Sequence, residues 1–546
     1  MHLTQVNIFN FKCFESFELP LENWVNILVW DNEAWKSTIL EAINLGLTWW
    51  LNWQHISKCV AQSLFNKKTI HDFLRSGWAI PPEIIIELYF ETDDEAIKAT
   101  FEWLGNESRL KKCWVQFRVK VRDQYLDEFM EIVQSWDEHQ SLPVEFYEYF
   151  RKTFGNDTWI NPKWLPIKAA LIDATHARYR NWGDIYMSRI IRDKLSEEEK
   201  LWLSKIHRNL RDNFNWDEVV KDINNWISSA WVSWKSIELS LDLWNRNAWE
   251  TSLRTYIDGV PFHQAWKWEQ CFIKTELALS HKKTDEANIV LVEEPENHLS
   301  HSRLNQLTKY IHENSEWKQV VITTHSSFVS NKLWISNLVL LGVDWDWNRN
   351  HIKFDKIDKD TQNYFMKLAG YNTLRLVLSN SCLLVEWPSE ELMVQRAFKD
   401  QDKNDRLPIE KWIDIISVAW LAFKRYLDLS VPLKKKVAVI TDNDGDYEVK
   451  IIDKYVDYIW HDFIEICANK DEELHTLEFC IVEANKSDLD NLRKVLWIKK
   501  KKYSNKEDII KYMVNNKTKS ALRIFDAVEK ILYPRYILDA IDFVNA

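Results

Sequence analysis

The chain has 546 residues, 46% hydrophobic and 28% charged, enough for two or three domains with buried cores, which excludes a disordered or fibrous polymer. Its net charge of −11 excludes a global positive field, so any contact with nucleic acid needs a local basic patch or bound cations. Against 9 glycines stand 31 tryptophans, whereas glycine ordinarily supplies about 7% of residues; the excess of one nearly matches the deficit of the other, which excludes reading the indoles as an aromatic binding surface before each position is examined.

The opening MHLTQVNIFNFKCF alternates apolar and polar residues as a strand does, unlike a signal peptide. A strand-like VNILV, a helix opening at KSTILEAINL and an apolar IIIELYF follow, so residues 1–95 read as α/β. From 96 to 254 the pattern is charged and predicted mostly helical, with stretches such as DQYLDEFMEIVQ and RDKLSEEEKLWLSKIHRNLRD. Strand–helix alternation returns over 255–375, in NIVLVEE, SRLNQLTKYIHEN and KQVVITTH. A second α/β domain is predicted over 380–546, with SCLLVEW, a helix at SEELMVQRAF, then IDIISV and KKKVAVITDND. The KKKK run at 499–502 reads as a solvated helix face rather than a dedicated DNA site. No apolar run reaches the roughly 18 residues of a membrane span. The 7 cysteines contain no CxxC pair, as in a reducing compartment. The expectation is a cytoplasmic protein without a membrane partner.

Two sets of residues carry chemistry. After the strand Val25–Val29 comes WDNEAWKST at 30–38 and then a helix, the setting of a phosphate-binding loop of the form GxxxxGK[ST]. Lys36 falls where a lysine reaches the β/γ-phosphates, Ser37 where a hydroxyl ligates Mg²⁺, and Asn32 and Thr38 flank them. Both loop glycines are tryptophans, Trp30 and Trp35. NIVLVEEPENHLS at 288–300 ends an apolar strand in Glu293 and Glu294; one carboxylate there can hold Mg²⁺ through water and the next can orient an attacking water. VVITTHSS puts His325 at the end of a further strand. An ordinary helix-start lysine is the alternative for Lys36 alone, and the ordered set argues against it. These motifs resemble the Walker A, Walker B and switch histidine of ABC-type and SMC-like ATPases, with HQAWKWEQ at 263–270 similar to their signature loop if Trp266 and Trp268 stand for glycines. His298 and His301 form an HxxH with no evident third ligand, so they read as surface or supporting residues.

The second set is acidic. CLLVEWPSEELMVQRAF at 382–398 is a strand ending in Glu386, a turn, and a helix carrying Glu390; KKKVAVITDNDGD at 434–446 is a strand ending in Asp442 and Asp444. Carboxylates at the C-terminal ends of parallel strands occupy the ligand crevice of an α/β sheet. Converging there, they would repel one another unless divalent cations sat between them. Two Mg²⁺ or Mn²⁺ ions can activate water and stabilise the leaving oxygen in phosphodiester cleavage. Exposed turns also contain DxD pairs, but Glu386 and Glu390 upstream favour a metal centre.

This set resembles the Toprim fold, and the order ATPase then Toprim is similar to the overcoming lysogenization defect (OLD) family of ATP-dependent endonucleases, which includes the nuclease subunit of the Gabija anti-phage system. FNFKCF at 9–14, the P-loop, EEPENHL, TTHSS, VEWPSE and TDND fall in the family order. The resemblance implies an α/β chain: an ABC/SMC-like P-loop ATPase domain in two halves (1–95 and 255–375) around a helical insertion serving dimerisation (96–254), then a Toprim nuclease domain (380–546). It implies Glu386, Glu390, Asp442 and Asp444 as metal ligands with Glu478 as a weaker candidate. It also implies Lys517 as the lysine that stabilises charge on the scissile phosphate, with Lys519 as its alternative. Glu390 stands where the family often has Asp. ATP and Mg²⁺ or Mn²⁺ are the implied cofactors, DNA the substrate, a homodimer or larger homo-oligomer the assembly, and a helicase a possible partner. A DNA repair or processing factor and a non-catalytic nucleotide-sensing scaffold are the competing functions. Trp30, Trp35, Trp266, Trp268, Trp387 and Trp420 all stand where the family pattern or a turn asks for glycine. The expectation is that the natural protein has glycine there, as when UGA codons that some bacteria read as glycine are translated as tryptophan; the alternative is a degenerate P-loop without ATPase activity.

Overall fold

The computed structural model describes residues 1–30, 33–51, 54–76, 80–103, 112–134, 141–152, 165–173, 195–230, 256–266, 269–270, 272–273, 288–297, 299–314, 318–343, 349–354, 356–418 and 423–546. Contacts divide the chain into two compact units, one of Met1–Ile27 with Asn32–Thr324 and one of Leu28–Asp31 with His325–Ala546. Among the described residues no helix is long and apolar enough to cross a membrane.

The first unit contains two sheets. Strands β1 (His2–Phe11) and β2 (Phe14–Pro20) begin an antiparallel sheet. The strand Val25–Val29, β3, is buried at every residue, as its unbroken apolar run demands. Helix α1 (Glu33–Thr48) follows it. Strands β4 (Ile84–Glu91), β5 (Lys112–Val121) and β6 (Tyr147–Lys152) continue the antiparallel sheet, with Val6 opposite Leu88 and Leu88 opposite Val115. In the second sheet β7 (Ala169–Asp173), β8 (Ile289–Glu293) and β9 (Gln319–Thr323) run parallel side by side, with β3 next to β9. Asp173, Glu293 and Thr323 are level across it. Helix α1 packs against strands of both sheets. A Cβ at its Gly46 would lie 2.7 Å from Leu88 Cδ1, so the Leu88 side chain would have to move aside.

The expectation of a mostly helical stretch from 96 to 254 is met only in part. Helices Glu95–Phe101, Leu126–Gln134, α2 (Glu197–Trp216) and α3 (Glu218–Ala230) fit it, whereas β5, β6 and β7 are strands within it. KCWVQFRVKV is buried from Cys113 to Phe117 and alternates only over Arg118–Val121, where the interleaved charges hid the strand.

In the second unit a four-stranded parallel sheet has the order β11-β10-β12-β13, formed by β10 (Ser381–Val385), β11 (Ile413–Ser417), β12 (Lys436–Ile440) and β13 (Ile464–Cys467). Helices α4 (Pro388–Gln401), α5 (Leu477–Ala484), α6 (Leu489–Val495), α7 (Lys506–Asn515), α8 (Lys517–Asp526) and α9 (Arg535–Asn545) complete it. Leu383, Val385, Val394, Ala438, Ile481 and Ile541 are part of one buried core. The segment before β10 is tied to the sheet by Arg375, which holds the Asp414 carboxylate with two nitrogens, and by Lys435, whose Nζ donates to the Leu376 and Val377 carbonyls at 2.9 and 2.7 Å. The KKKK run is a turn rather than a helix face, closed by Lys502 N donating to Lys499 O at 3.0 Å.

Tryptophan recurs at left-handed backbone positions. Trp49, Trp334, Trp412 and Trp497 have φ of 65°, 69°, 59° and 51°. Trp497 closes α6: its N–H donates to Lys494 O and that of Ile498 to Arg493 O, both at 3.0 Å. That pair of bonds is the Schellman motif, whose left-handed residue is usually glycine.

Candidate functional site

Two sites lie in the two units. In the first, β3 leads into α1, and Lys36 and Ser37 stand in the opening turns of that helix. The Lys36 side chain is buried, with Nζ 3.7 Å from Glu294 Oε1. The Ser37 hydroxyl donates to the Glu293 carboxylate, and Thr38 is buried beside them in sequence. Glu294 adopts a left-handed φ of 41°, and its N–H donates to Thr323 O at 2.9 Å, which turns the chain at the end of β8. Two residues that the motif reading missed hold this turn: Asn297 Nδ2 donates to Glu294 Oε2 and Thr324 Oγ1 to Glu296 Oε1, each at 2.7 Å. Neither belongs to the motif's charged set, so only the hydrogen bonds reveal them.

Thus Lys36, Ser37, Glu293 and Glu294 are brought together. A cation and a hydroxyl at a helix N-terminus, faced by two carboxylates, fit a nucleotide phosphate and its Mg²⁺ in donor type. Asn32, His298, Trp268 and Trp420 lie outside the described residues, as does the side chain of Trp35. Trp30 is buried at the end of β3, Trp266 is exposed, and His301 is exposed at the start of its helix. His325 follows Thr324 in sequence and belongs to the second unit.

In the second unit, Glu386 follows β10, and Asp442 and Asp444 follow β12, the adjacent parallel strand. Glu390, in the first turn of α4, accepts from the backbone N–H groups of Glu386 and Trp387 at 2.9 and 3.3 Å, which fixes the turn between strand and helix. Burial first, and then the Asp442 charge, push the Glu390 carboxyl up to about 8. Burial followed by Glu478 and Glu386 pushes Asp442 up to about 7. Glu386 is raised by burial and by Asp444. These carboxylates therefore share one field. Glu478, buried at the start of α5, accepts from Thr476 Oγ1 at 3.0 Å and pairs with Lys517 Nζ at 3.4 Å. Lys517 is thereby placed beside the carboxylate set, whereas Lys519 is exposed.

Among the described residues no three His, Cys, Asp or Glu side chains are drawn together closely enough to cage an ion as they stand. The donors are nevertheless hard oxygen ligands of the kind Mg²⁺ and Mn²⁺ take, and their mutual repulsion is what a cation would relieve. Asn443 and Lys454 were not legible in the motif. Asn443 is buried, and its Nδ2 donates to the Asn469 and Asp471 carbonyls at 2.8 and 2.9 Å while its Oδ1 accepts from Gly445 N at 3.0 Å, so it braces the loop between Asp442 and Asp444. Lys454 acts on Glu386 and Asp444 by charge, and burial lowers its own proton affinity.

No curated protein matches the chain. Among solved structures, it is similar to the SMC head domain from Thermotoga maritima, with 11% identity over 65% of this chain and 99% of that one and a TM-score of 0.29. It is also similar to the Smc head domain with an extended coiled coil bound to the C-terminal domain of ScpA, derived from Pyrococcus furiosus, with 13% identity over 65% and 97% and a TM-score of 0.33. The SmcHead bound to the C-winged helix domain of ScpA aligns with 13% identity over 65% and 99%, at a TM-score of 0.33. Residues 377–444, which carry Glu386, Glu390, Asp442 and Asp444, match the family described as overcoming lysogenization defect protein-like, TOPRIM domain, so the second unit contains a Toprim domain of that kind.

Proposed function

We propose that the chain is a metal-dependent DNA endonuclease regulated by nucleotide at the Lys36 site, acting in anti-phage defence. The observation that carries the reading is the set of carboxylates at the C-terminal ends of adjacent parallel strands, Glu386 and Asp442 with Glu390 behind them, each holding its proton abnormally tightly. Glu386, Glu390, Asp442, Asp444 and Glu478 would hold the divalent cations. When bound, such ions supply the positive charge and the activated water that phosphodiester hydrolysis needs. Lys517 brings a further cation to the rim of the set, suited to offset charge growing on a scissile phosphate. In the first unit, Lys36 is suited to the phosphates and Ser37 with Glu293 to their Mg²⁺, with Glu294 as the group that orients water. The likeness to the OLD family extends the proposal to a homo-oligomer assembled through residues 96–254 and to a helicase partner.

The test is plasmid nicking by the purified chain with Mg²⁺ or Mn²⁺, with and without ATP. Metal-dependent nicking is expected, and Glu386→Ala should abolish it while nucleotide binding survives. No cleavage under any condition would leave the nucleotide-sensing scaffold as the better reading.

A further inference from the structure

The acidic chain must still hold a polyanion against a site built of carboxylates. Over residues 494–523 the balance reverses: ten lysines or arginines stand against Glu507 and Asp508 alone. Some of these cations are used internally. Lys494 pairs with Glu529, Lys500 with Asp490 at 2.8 Å and Lys506 with Glu483 at 3.2 Å; just before the stretch, Arg493 is buried, donating to the Tyr503 and Ser504 carbonyls at 2.7 Å each. Lys499, Lys501 and Lys502 are exposed, and no carboxylate among the described residues lies within ion-pair distance of them. Lys511 and Lys519 share that state.

The turn bearing these lysines is hydrogen-bonded on both flanks. On one side the two Arg493 bonds clamp its exit. On the other, Arg523 of α8 donates to Leu496 O, three residues before Lys499. The same helix begins with Lys517, which pairs with Glu478. Lys517 and Arg523 are separated by about 9 Å of helix axis at about 1.5 Å per residue, two to three base-pair steps of duplex at about 3.4 Å each. One helix therefore links Lys517, paired with Glu478, to Arg523, which anchors the residue three before the lysine turn.

We propose that the Lys499–Lys502 turn, through Lys499, Lys501 and Lys502, is a phosphate-contact surface that holds a DNA duplex across the carboxylate site without reading its sequence. The inference rests on the nuclease reading above and names how that site keeps its substrate. Such contacts release counterions, so affinity falls with salt by a slope of about 0.9 per phosphate contact.

The full chain is titrated with a mixed-sequence DNA duplex across a KCl series in chelator, which stops cutting. Lys499→Gln, Lys501→Gln and Lys502→Gln together should lower the salt slope by about 2 to 3 and weaken binding at least tenfold at low salt. A control with Lys356→Gln, Lys403→Gln and Lys434→Gln removes the same charge from exposed sites elsewhere. An unchanged slope in the first variant, an equal loss in both, or no duplex binding by the unsubstituted chain overturns the surface. The nicking assay is separate: a slope that falls as expected in a chain that never cuts leaves the surface standing and sinks the nuclease reading.

Discussion

Trp497 and Trp412 are exposed indoles at left-handed positions, φ 51° and 59°. A side chain in that region costs roughly 1–2 kcal/mol because Cβ crowds the following carbonyl. Neither indole is buried in compensation. Four of the non-glycine residues described at positive φ are tryptophan, a residue for which such a conformation is an outlier. The composition and the backbone thus point the same way: these positions are built for glycine. In the chain as written, Trp497→Gly should raise stability by about 1 kcal/mol, read from denaturant midpoints. Intact-mass measurement of the protein from its own cells should give a mass too low for 31 tryptophans; a mass that matches them sinks the decoding explanation.

At the scale of elements, β12 and its loop create a proton-affinity problem with a measurable sign. Asp442 and Glu390 hold protons up to about 7 and 8 when folded, against about 4 in the unfolded chain. Between those values the folded state binds more protons, so stability falls as pH rises from about 4 to 8. Asp442→Asn removes one charge and should raise the melting midpoint at pH 8 by a few degrees without added metal, with the gain vanishing near pH 4. A gain of equal size at both pH values would assign the effect to packing instead. The parallel strands around this loop were legible in the sequence, since β10 and β12 are unbroken apolar runs that end in carboxylates. The loop's brace was not: Asn443 reaches carbonyls 26 and 28 residues away, a pairing no local pattern encodes. Strands β5 and β6 were missed for the opposite reason, because their interleaved charges imitate an exposed helix.

On the scale of the whole molecule, the two chemical sets belong to separate units, Lys36 with Glu294 in one and Glu386 with Asp442 in the other. Nucleotide and metal binding should therefore be separable by single substitutions. Lys36→Ala removes the cation buried against Glu294. A charged hydrogen bond is worth about 1.5–3 kcal/mol, so nucleotide affinity should fall roughly tenfold to a hundredfold. Manganese binding by the second unit, followed by calorimetry, should persist in that variant. Any effect of ATP on nicking, whichever its sign, must then shrink in step with the lost affinity, because a ligand shifts an equilibrium only through its differential binding. Glu386→Ala is the reciprocal case, with metal binding weakened and nucleotide binding retained. If either substitution removes both activities together while the melting profile is unchanged, the two sets act as one site and the division into a regulating and a cutting unit fails.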